Sequence, residues 1–462
     1  MEKKKALSTF MLSMMTVAMI VSLRGLPTLA KYGMASVLLY LFVAAASLIP
    51  VAFVAAELAT TYTEAGGVFL WVSKAFSAKW GLLVVFLQWV MSVVWYPLAL
   101  SVTVAMFAYA FSPALAENSY YAFFMVQLIF WGATLVSLKG LKISGQFASF
   151  AVVFGTLLPA LALIISGIVW FLKGAKVEIA FDLSRSPVHF DDFKSFIFLT
   201  SVLLMYSGME VPAVHVKEVQ DPKKSYPKAI FLAVLIILSV TILGTLAIAI
   251  AVPAEKISLV TGLLQAFTVF FNAQNGLSFI VPTVAFLIAL GSIGQISSWI
   301  IGPSKSLLAS AEKGYLPRFL AKTNPAGAPV NILLLQAVLV SVFSFLFLLM
   351  PSVSSSFWIL TVLTAQIYLT VYVLLFLAAL KLRYSKASVK GSYRIPGGKP
   401  VLWLLVLVGV LSSLAGIFLG FFAPPQVATV GPWGHFLMLA GALAVFYTIP
   451  FVIYHFQKKK LT

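Results

Sequence analysis

Long apolar runs follow one another along almost the whole chain, and they constrain its fold more than any other feature. Runs of 18 or more apolar residues recur from end to end, and an α-helix needs about 20 such residues to cross the hydrocarbon core of a bilayer. A transmembrane β-barrel would show short segments of alternating polarity instead. The sequence therefore predicts an all-α polytopic protein embedded in the lipid bilayer.

Composition excludes several classes of function. Hydrophobic residues make up 61% of the 462 residues and charged residues only 10%, whereas a soluble protein has about 45–50% and about 25%. The chain has no cysteine, and its four histidines are scattered, so neither a thiol nucleophile nor a metal-ligand cluster is indicated. We therefore expect no enzyme activity, no cofactor and no bound metal.

Twelve apolar runs predict twelve transmembrane helices, which we number spans 1 to 12 in chain order. Their predicted limits are about 7–29, 34–59, 80–110, 121–138, 147–172, 195–216, 227–252, 278–303, 329–350, 355–380, 401–421 and 434–456. We expect residues 1–462 to form a single transmembrane domain. Because the number of spans is even, both termini are expected on one side of the membrane.

The distribution of Lys and Arg predicts which side that is. With the N-terminus inside, cytoplasmic segments contain 24 of the 31 basic residues and outer segments contain six, and Arg24 is the remaining one. Such an excess follows the positive-inside rule, so both termini are predicted to be cytoplasmic, in a multi-pass protein of the cell (inner) membrane. This topology accounts for the net charge of +18, and we expect no nucleic-acid partner.

The longest predicted outer loop, residues 173–194, divides the first ten spans into two groups of five. An odd number of helices per repeat turns the second repeat upside down in the membrane, as in transporters built from inverted repeats. The sequence thus predicts a first repeat over 7–172, a second over 195–380, and two additional helices over 401–456.

Spans 1 and 6, at corresponding places in the two repeats, share an interrupted pattern. Span 1 contains "SLRGLP" (22–27) and span 6 contains "SGMEVP" (207–212). Glycine and proline weaken a helix, and backbone groups released inside a membrane must line a cavity. Free amides suit a carboxylate and free carbonyls suit an ammonium, so the pattern favours a zwitterion site; ordinary proline kinks are the alternative. The candidate site residues are Ser22, Leu23, Arg24, Gly25, Ser207, Gly208, Met209 and Glu210.

Glu210 is the strongest individual candidate. An ionisable residue at the bilayer centre costs at least about 2.5–3.5 kcal/mol on insertion scales, which makes it a candidate for function. One hypothesis is that its protonation or charge is coupled to substrate binding. The alternative is a structural ion pair with Arg24 that holds the two interrupted helices together.

Several long motifs occur in the order typical of one known family. They are "EAGGVFLWVSKAFSAKWG" (64–81), "YSGMEVPAVHVKEVQDPKKSYPKA" (206–229), "SSWIIGPSKSLLASAEKGYLPRFLAKTNPAGAPV" (297–330) and "IPGGK" (395–399). With them the chain resembles the amino acid–polyamine–organocation (APC) superfamily, and most of all its glutamate/GABA antiporter branch.

The resemblance implies a LeuT-type fold with discontinuous helices 1 and 6 and alternating access to a site between spans 1, 3, 6, 8 and 10. It matches Glu210 to the acid of the sixth helix, Tyr368 and Tyr372 to site aromatics of the tenth, and Trp299 to a tryptophan of the eighth. Two residues depart from the pattern. Gln295 replaces an acid of the eighth helix, and Arg24 replaces a tyrosine of the first.

The function implied is a secondary active amino acid transporter that exchanges an amino acid for a related amino acid or amine. A proton- or sodium-coupled uptake permease is the alternative. Hydroxyls of Ser292, Ser297 and Ser298 could bind sodium, although small residues at helix contacts explain them as well. Gln88, Trp89, Trp95 and Tyr96 of span 3 could wall the site or simply pack. The sequence leaves open the substrate, the coupling ion and the oligomeric state.

Overall fold

The structure is a computed structural model that describes residues 8–62, 67–109, 111–139, 153–179, 193–219, 221–272, 279–385, 393–424 and 431–461. Predicted span residues 7, 110, 147–152 and 278 lie outside the described residues, as does most of the 173–194 loop. Within the described ranges, ten helices are long and apolar enough to cross a membrane, and a bent pair could form an eleventh. The prediction of an all-α polytopic membrane protein is confirmed.

Ten of the predicted spans are continuous helical segments within the described residues. In chain order, spans 2 to 5 and 7 to 12 are Ala35–Thr61, Ala78–Tyr109, Ser119–Leu138, Val153–Leu172, Pro222–Ala251, Ile280–Glu312, Val330–Leu349, Val353–Tyr384, Gly398–Leu419 and Pro432–Leu461. Shorter helices, Gly67–Ala75 and Gly262–Asn272, precede spans 3 and 8. The helix of span 8 ends nine residues beyond its predicted limit, because hydropathy marks the part in hydrocarbon whereas a helix ends at its cap.

Span 1 is interrupted. The helix Thr9–Ile20 ends at Val21, Ser22 is extended, and a 3₁₀ turn, Leu23–Gly25, leads into the short helix Leu26–Ala30. The two parts are bent by 41° relative to each other. The break therefore lies within the segment "SLRGLP" in which the sequence predicts it.

Span 6 is interrupted more strongly. The helix Leu199–Met205 is followed by non-helical backbone at 207–208 and a turn, and then by a 3₁₀ segment, Val211–Glu218. Gly208 has a φ of +116°, a backbone conformation that residues other than glycine rarely adopt. The predicted discontinuity of helices 1 and 6 is thus present, whereas the division into two inverted repeats stays a prediction.

The interior of the bundle is formed largely by spans 3, 8 and 10. In the most apolar stretch of each of these spans, 89%, 69% and 83% of the residues are buried, compared with only 28% and 17% in spans 11 and 12. Span 3 packs against both spans 8 and 10, and span 10 also packs against Leu199–Met205 of span 6. Spans 5 and 8 meet at Gly155 and Gly291, where a Cβ on either residue would overlap the backbone of the other. This close approach fixes span 8 one turn before Gln295.

Candidate substrate site

A cavity of about 90 Å³ lies between spans 1, 3, 6, 8 and 10, the five spans from which the resemblance implies that the site is built. A buried water needs about 10–15 Å³ of such space, so the cavity has room for several waters or a small polar molecule. The lining residues are Met19, Ile20, Ser22, Arg24, Gly25, Thr28, Met91, Trp95, Leu98, Ser201, Leu204, Met205, Ser207, Gln295, Trp299, Phe357, Thr361 and Tyr368.

Glu210 lies behind the cavity wall and is only 1% exposed. Its Oε1 accepts a hydrogen bond from the Tyr368 hydroxyl at 2.5 Å, and its Oε2 accepts one from the Tyr372 hydroxyl at 2.9 Å. The Tyr372 hydroxyl in turn accepts the backbone N–H of Gly208 at 2.7 Å. Because Tyr368 both lines the cavity and contacts Glu210, it connects the buried carboxylate with whatever occupies the cavity.

Arg24 is held in a different way. Its Nη2 donates to Oε1 of Gln295 at 3.0 Å, and the Gln295 amide donates to the carbonyl of Ala18 at 3.3 Å. The guanidinium carbon lies 4.8 Å from the centre of the Trp95 ring, a distance at which a cation–π attraction operates. Gln295 thus joins span 8 to both parts of the interrupted span 1.

Arg24 and Glu210 do not form an ion pair. The ion pairs between described side chains include Glu57 with Arg383, but none that involves Arg24 or Glu210. Each has neutral partners instead, amide and indole for Arg24 and two phenols for Glu210. The structure therefore contradicts the alternative that an Arg24–Glu210 ion pair holds the interrupted helices together.

The structure divides the predicted site residues into two groups. Those that line the cavity are Ser22, Arg24, Gly25, Ser207, Gln295, Trp299 and Tyr368. Those buried outside its lining are Leu23, Gly208, Met209, Glu210 and Tyr372. Leu23 lines a separate void of about 10 Å³. Substrate binding by either group stays a prediction, but the first group meets the cavity directly and the second supports it from behind.

Several lining residues are not among the sequence-predicted ones, although their helical spacing indicates them. Thr361 and Phe357 precede Tyr368 by seven and eleven residues and therefore share its face of span 10. On span 3, Trp95 lines the cavity together with Met91 and Leu98, which have the same kind of spacing.

The other aromatic candidates of span 3 lie outside the cavity lining. Trp89 and Tyr96 are buried, and the Tyr96 ring packs 4.9 Å from that of Phe130. Gln88 is also absent from the lining residues. Packing therefore explains Trp89 and Tyr96, and Trp95 is the aromatic residue of span 3 that walls the cavity.

Of the serines considered for sodium, Ser292 and Ser297 do not converge. Ser292 lines the small void beside Leu23, whereas the Ser297 hydroxyl donates to the Ile293 carbonyl of its own helix at 2.9 Å. The side chain of Ser298 lies outside what the structure describes. Among the described residues, no group of three or more His, Cys, Asp or Glu could hold a metal ion. The geometry of these serines gives no separate support to sodium coupling.

A cavity at the breaks of two interrupted membrane helices is typical of secondary transporters. The sequence pattern of the amino acid permease family matches residues 7–446. The chain belongs to the amino acid permease family, and it is a multi-pass membrane transporter.

Three relatives illustrate the range of that family. An uncharacterized transporter of Legionella pneumophila is 39% identical over 456 residues, which cover 99% of this chain and 97% of that protein. A glutamate/gamma-aminobutyrate antiporter of Lactococcus lactis is 28% identical over 461 residues, or 99% and 92% of the two chains. A probable agmatine/putrescine antiporter of the same species is 25% identical over 364 residues, or 77% and 75%.

Proposed function

We propose that the protein is a secondary active amino acid antiporter, which exchanges an amino acid for a related amino acid or amine by alternating access. The observation that carries the proposal is the cavity between the breaks of spans 1 and 6, with Ser22, Gly25 and Ser207 in its wall. Backbone and hydroxyl groups there suit the ammonium and carboxylate of an amino acid. Relatives whose names describe antiporters support exchange rather than one-way uptake.

Glu210 is proposed to couple substrate binding to charge or to a proton. A ligand that displaces the Tyr368 hydroxyl would remove one of the two donors that stabilise the carboxylate, and hydrogen bonds to a charged group contribute about 1.5–3 kcal/mol each. Occupancy of the cavity would thereby change the proton affinity of Glu210.

Counterflow in proteoliposomes tests the exchange. Purified protein is reconstituted, and uptake of labelled amino acids is compared between liposomes loaded with the same unlabelled amino acid and empty liposomes, with protein-free liposomes as the control. An antiporter requires the internal substrate. Uptake into empty liposomes that follows an imposed proton or sodium gradient would instead show the ion-coupled permease and contradict antiport.

The proposed orientation, with both termini cytoplasmic in the cell (inner) membrane, has a direct test because the chain has no cysteine of its own. Ser112 and Lys322 are exposed and lie in loops predicted to face opposite sides. In intact cells, a membrane-impermeant maleimide should label Ser112→Cys, and it should label Lys322→Cys only after permeabilisation. The reverse pattern would contradict the proposed topology.

A further inference from the structure

The cavity contains a cation, Arg24, for which the described side chains provide no ion-pair partner. Among the described residues that line the cavity, Arg24 is the only charged one, and no ion pair between described side chains involves it. A buried charge without an opposite charge or full hydrogen bonding is costly. This cost arises at the proposed substrate site, so a substrate is the natural source of the missing charge.

The hydrogen-bonding groups of the cavity point to the sign of that charge. A guanidinium has five N–H donors, yet Nη1 of Arg24 is buried without an acceptor, and so is the indole Nε1 of Trp299. Both residues line the cavity. Trp95 lies next to both of them, because its ring contacts the Arg24 guanidinium and its ring centre lies 5.8 Å from that of Trp299. The described groups on this side of the cavity therefore have an excess of donors, which suits an oxyanion.

The helix termini created by the breaks are poor substitutes for Arg24 as anion-binding groups. The segment after the break in span 1 is a helix of five residues, and the segment after the break in span 6 is a 3₁₀ helix of eight. Short segments align few peptide dipoles, and their effect is confined to the terminal turn. A full positive charge on Arg24 is the stronger attraction.

Gln295 explains how this charge stays available. It accepts from Nη2 of Arg24 while its amide is engaged with the Ala18 carbonyl, so it orients the guanidinium without neutralising it. A glutamate in its place would pair with Arg24 and remove the net charge. Gln295 is thus a positioning residue, and Trp95 fixes the plane of the guanidinium from the other side.

We propose that Arg24 binds a carboxylate of the substrate, so that the protein exchanges carboxylate-bearing amino acids and excludes diamines and guanidino-amines that have no carboxylate. This inference rests on the proposed function. A diamine would place positive charge beside Arg24 and leave the unpaired donors of Arg24 and Trp299 without an acceptor.

Matched ligand pairs test the proposal on the unmodified protein. Each pair differs only in one carboxylate: ornithine and putrescine, arginine and agmatine, alanine and ethylamine. Binding to the detergent-solubilised protein is measured by calorimetry, and exchange is measured in proteoliposomes, with glutamate and γ-aminobutyrate added to the panel. We expect every ligand that binds to carry a carboxylate. Binding of putrescine or agmatine as tight as that of the best amino acid would overturn the proposal.

Two variants test Arg24 itself. Arg24→Gln should weaken binding of the best amino acid about 10- to 100-fold, the usual effect of losing a charge-assisted hydrogen bond. Gln295→Glu keeps Arg24 but neutralises its charge, so it should weaken binding to a similar extent. This second variant tests the proposal even if Arg24→Gln does not fold. Lys31→Gln is the matched control, because it removes a nearby cation that does not line the cavity, and its affinity should equal the wild type's.

The outcomes separate this inference from the proposed function. If folded Arg24→Gln and Gln295→Glu both bind amino acids with wild-type affinity and exchange them, the role of Arg24 is wrong and antiport stands. If no amino acid or amine of the panel binds or exchanges with the wild-type protein, the proposed function fails, and this inference fails with it.

Discussion

Two buried carboxylates of this protein, Glu57 and Glu210, are stabilised in opposite ways. Glu57 of span 2 pairs with Arg383 at the end of span 10, and its Oε2 accepts the backbone N–H of Ile395 at 2.9 Å. Glu210 has two tyrosine hydroxyls and no cation among the described side chains. The first charge is neutralised within the protein, whereas the second is only hydrogen-bonded.

The comparison separates a charge that is paired within the protein from charges that have no ion-pair partner among the described side chains. The Glu57 pair ties span 2 to span 10 and to the segment before span 11, where Thr60 also accepts the N–H of Tyr393 at 3.2 Å. Burial, and then the nearby Glu57 carboxylate, raise the pKa of the Tyr393 hydroxyl, so it adds no charge there at physiological pH. Arg24, in the cavity wall, and Glu210, behind it, by contrast have no ion-pair partner among the described side chains.

Breaking the Glu57 pair should have the largest effect on stability. Arg383→Met leaves a carboxylate that is 89% buried without its cation, and loss of one partner from a buried pair costs about 3–5 kcal/mol. We expect this loss in the free energy of unfolding, measured by denaturant titration in detergent micelles. Glu57→Gln combined with Arg383→Met should recover much of it.

An exposed ion pair provides the control for that measurement. Lys176 pairs with Glu178, and its side chain is 83% exposed. Lys176→Met should therefore change the free energy of unfolding by no more than about 1 kcal/mol. If Lys176→Met and Arg383→Met lower the free energy of unfolding by similar amounts, burial does not make the Glu57–Arg383 pair more stabilising than the exposed pair.

Glu210→Gln should affect transport more than stability. The amide keeps the shape of the carboxyl group but cannot change charge. We therefore expect exchange to be at least about 10-fold slower, which corresponds to a barrier higher by about 1.4 kcal/mol, and to have a flatter pH dependence. Initial rates of counterflow measured from pH 5 to 8 check this. Glu255→Gln, at an exposed acid, is the control, and wild-type rates and pH response in Glu210→Gln would remove Glu210 from the coupling.

Glu57 also shows what the sequence can and cannot predict. Glu210 is favoured by the sequence because span 6 is otherwise apolar from Phe196 to Met209 except for small hydroxyls, and because its break matches that of span 1. Glu57 is also an acid within an apolar span, but it is not among the predicted site residues. Its partner Arg383 is 326 residues away in the chain. Hydropathy predicts where helices cross the membrane, but it contains no information on which distant side chains meet between them.

The candidate site was predictable to a similar degree. Local chemistry was sufficient for the breaks at Ser22 and Gly208, because glycine and proline act on their own backbone. It was insufficient for the position of Glu210 behind Tyr368, which depends on how spans 6 and 10 pack. The sequence also leaves an Arg24–Glu210 ion pair open as an alternative, because it does not show that packing brings Gln295 to Arg24.

Removing either tyrosine hydroxyl should distinguish support of Glu210 from contact with the substrate. Tyr372→Phe also leaves the Gly208 N–H without its acceptor, so we expect it to lower the free energy of unfolding by about 1–2 kcal/mol more than Tyr368→Phe does. Tyr368→Phe, at the cavity wall, should instead raise the KM for exchange about 3- to 10-fold. Unfolding in detergent and initial exchange rates provide both measurements, and the opposite assignment of effects would reverse the roles of the two residues.

The smallest effects are expected from two threonines of span 10 that differ in one respect. Thr361 lines the cavity and Thr364 does not, while both hydroxyls donate to carbonyls of their own helix, at 2.7 and 2.6 Å. Because each hydroxyl already has an acceptor, replacement by valine should change the free energy of unfolding by less than about 1.5 kcal/mol in either case. Thr361→Val should change the affinity for substrate by less than about threefold. If Thr361→Val weakens binding tenfold while Thr364→Val is neutral, the Thr361 hydroxyl contacts the substrate, and span 10 contributes a polar group to the binding site as spans 1 and 8 do.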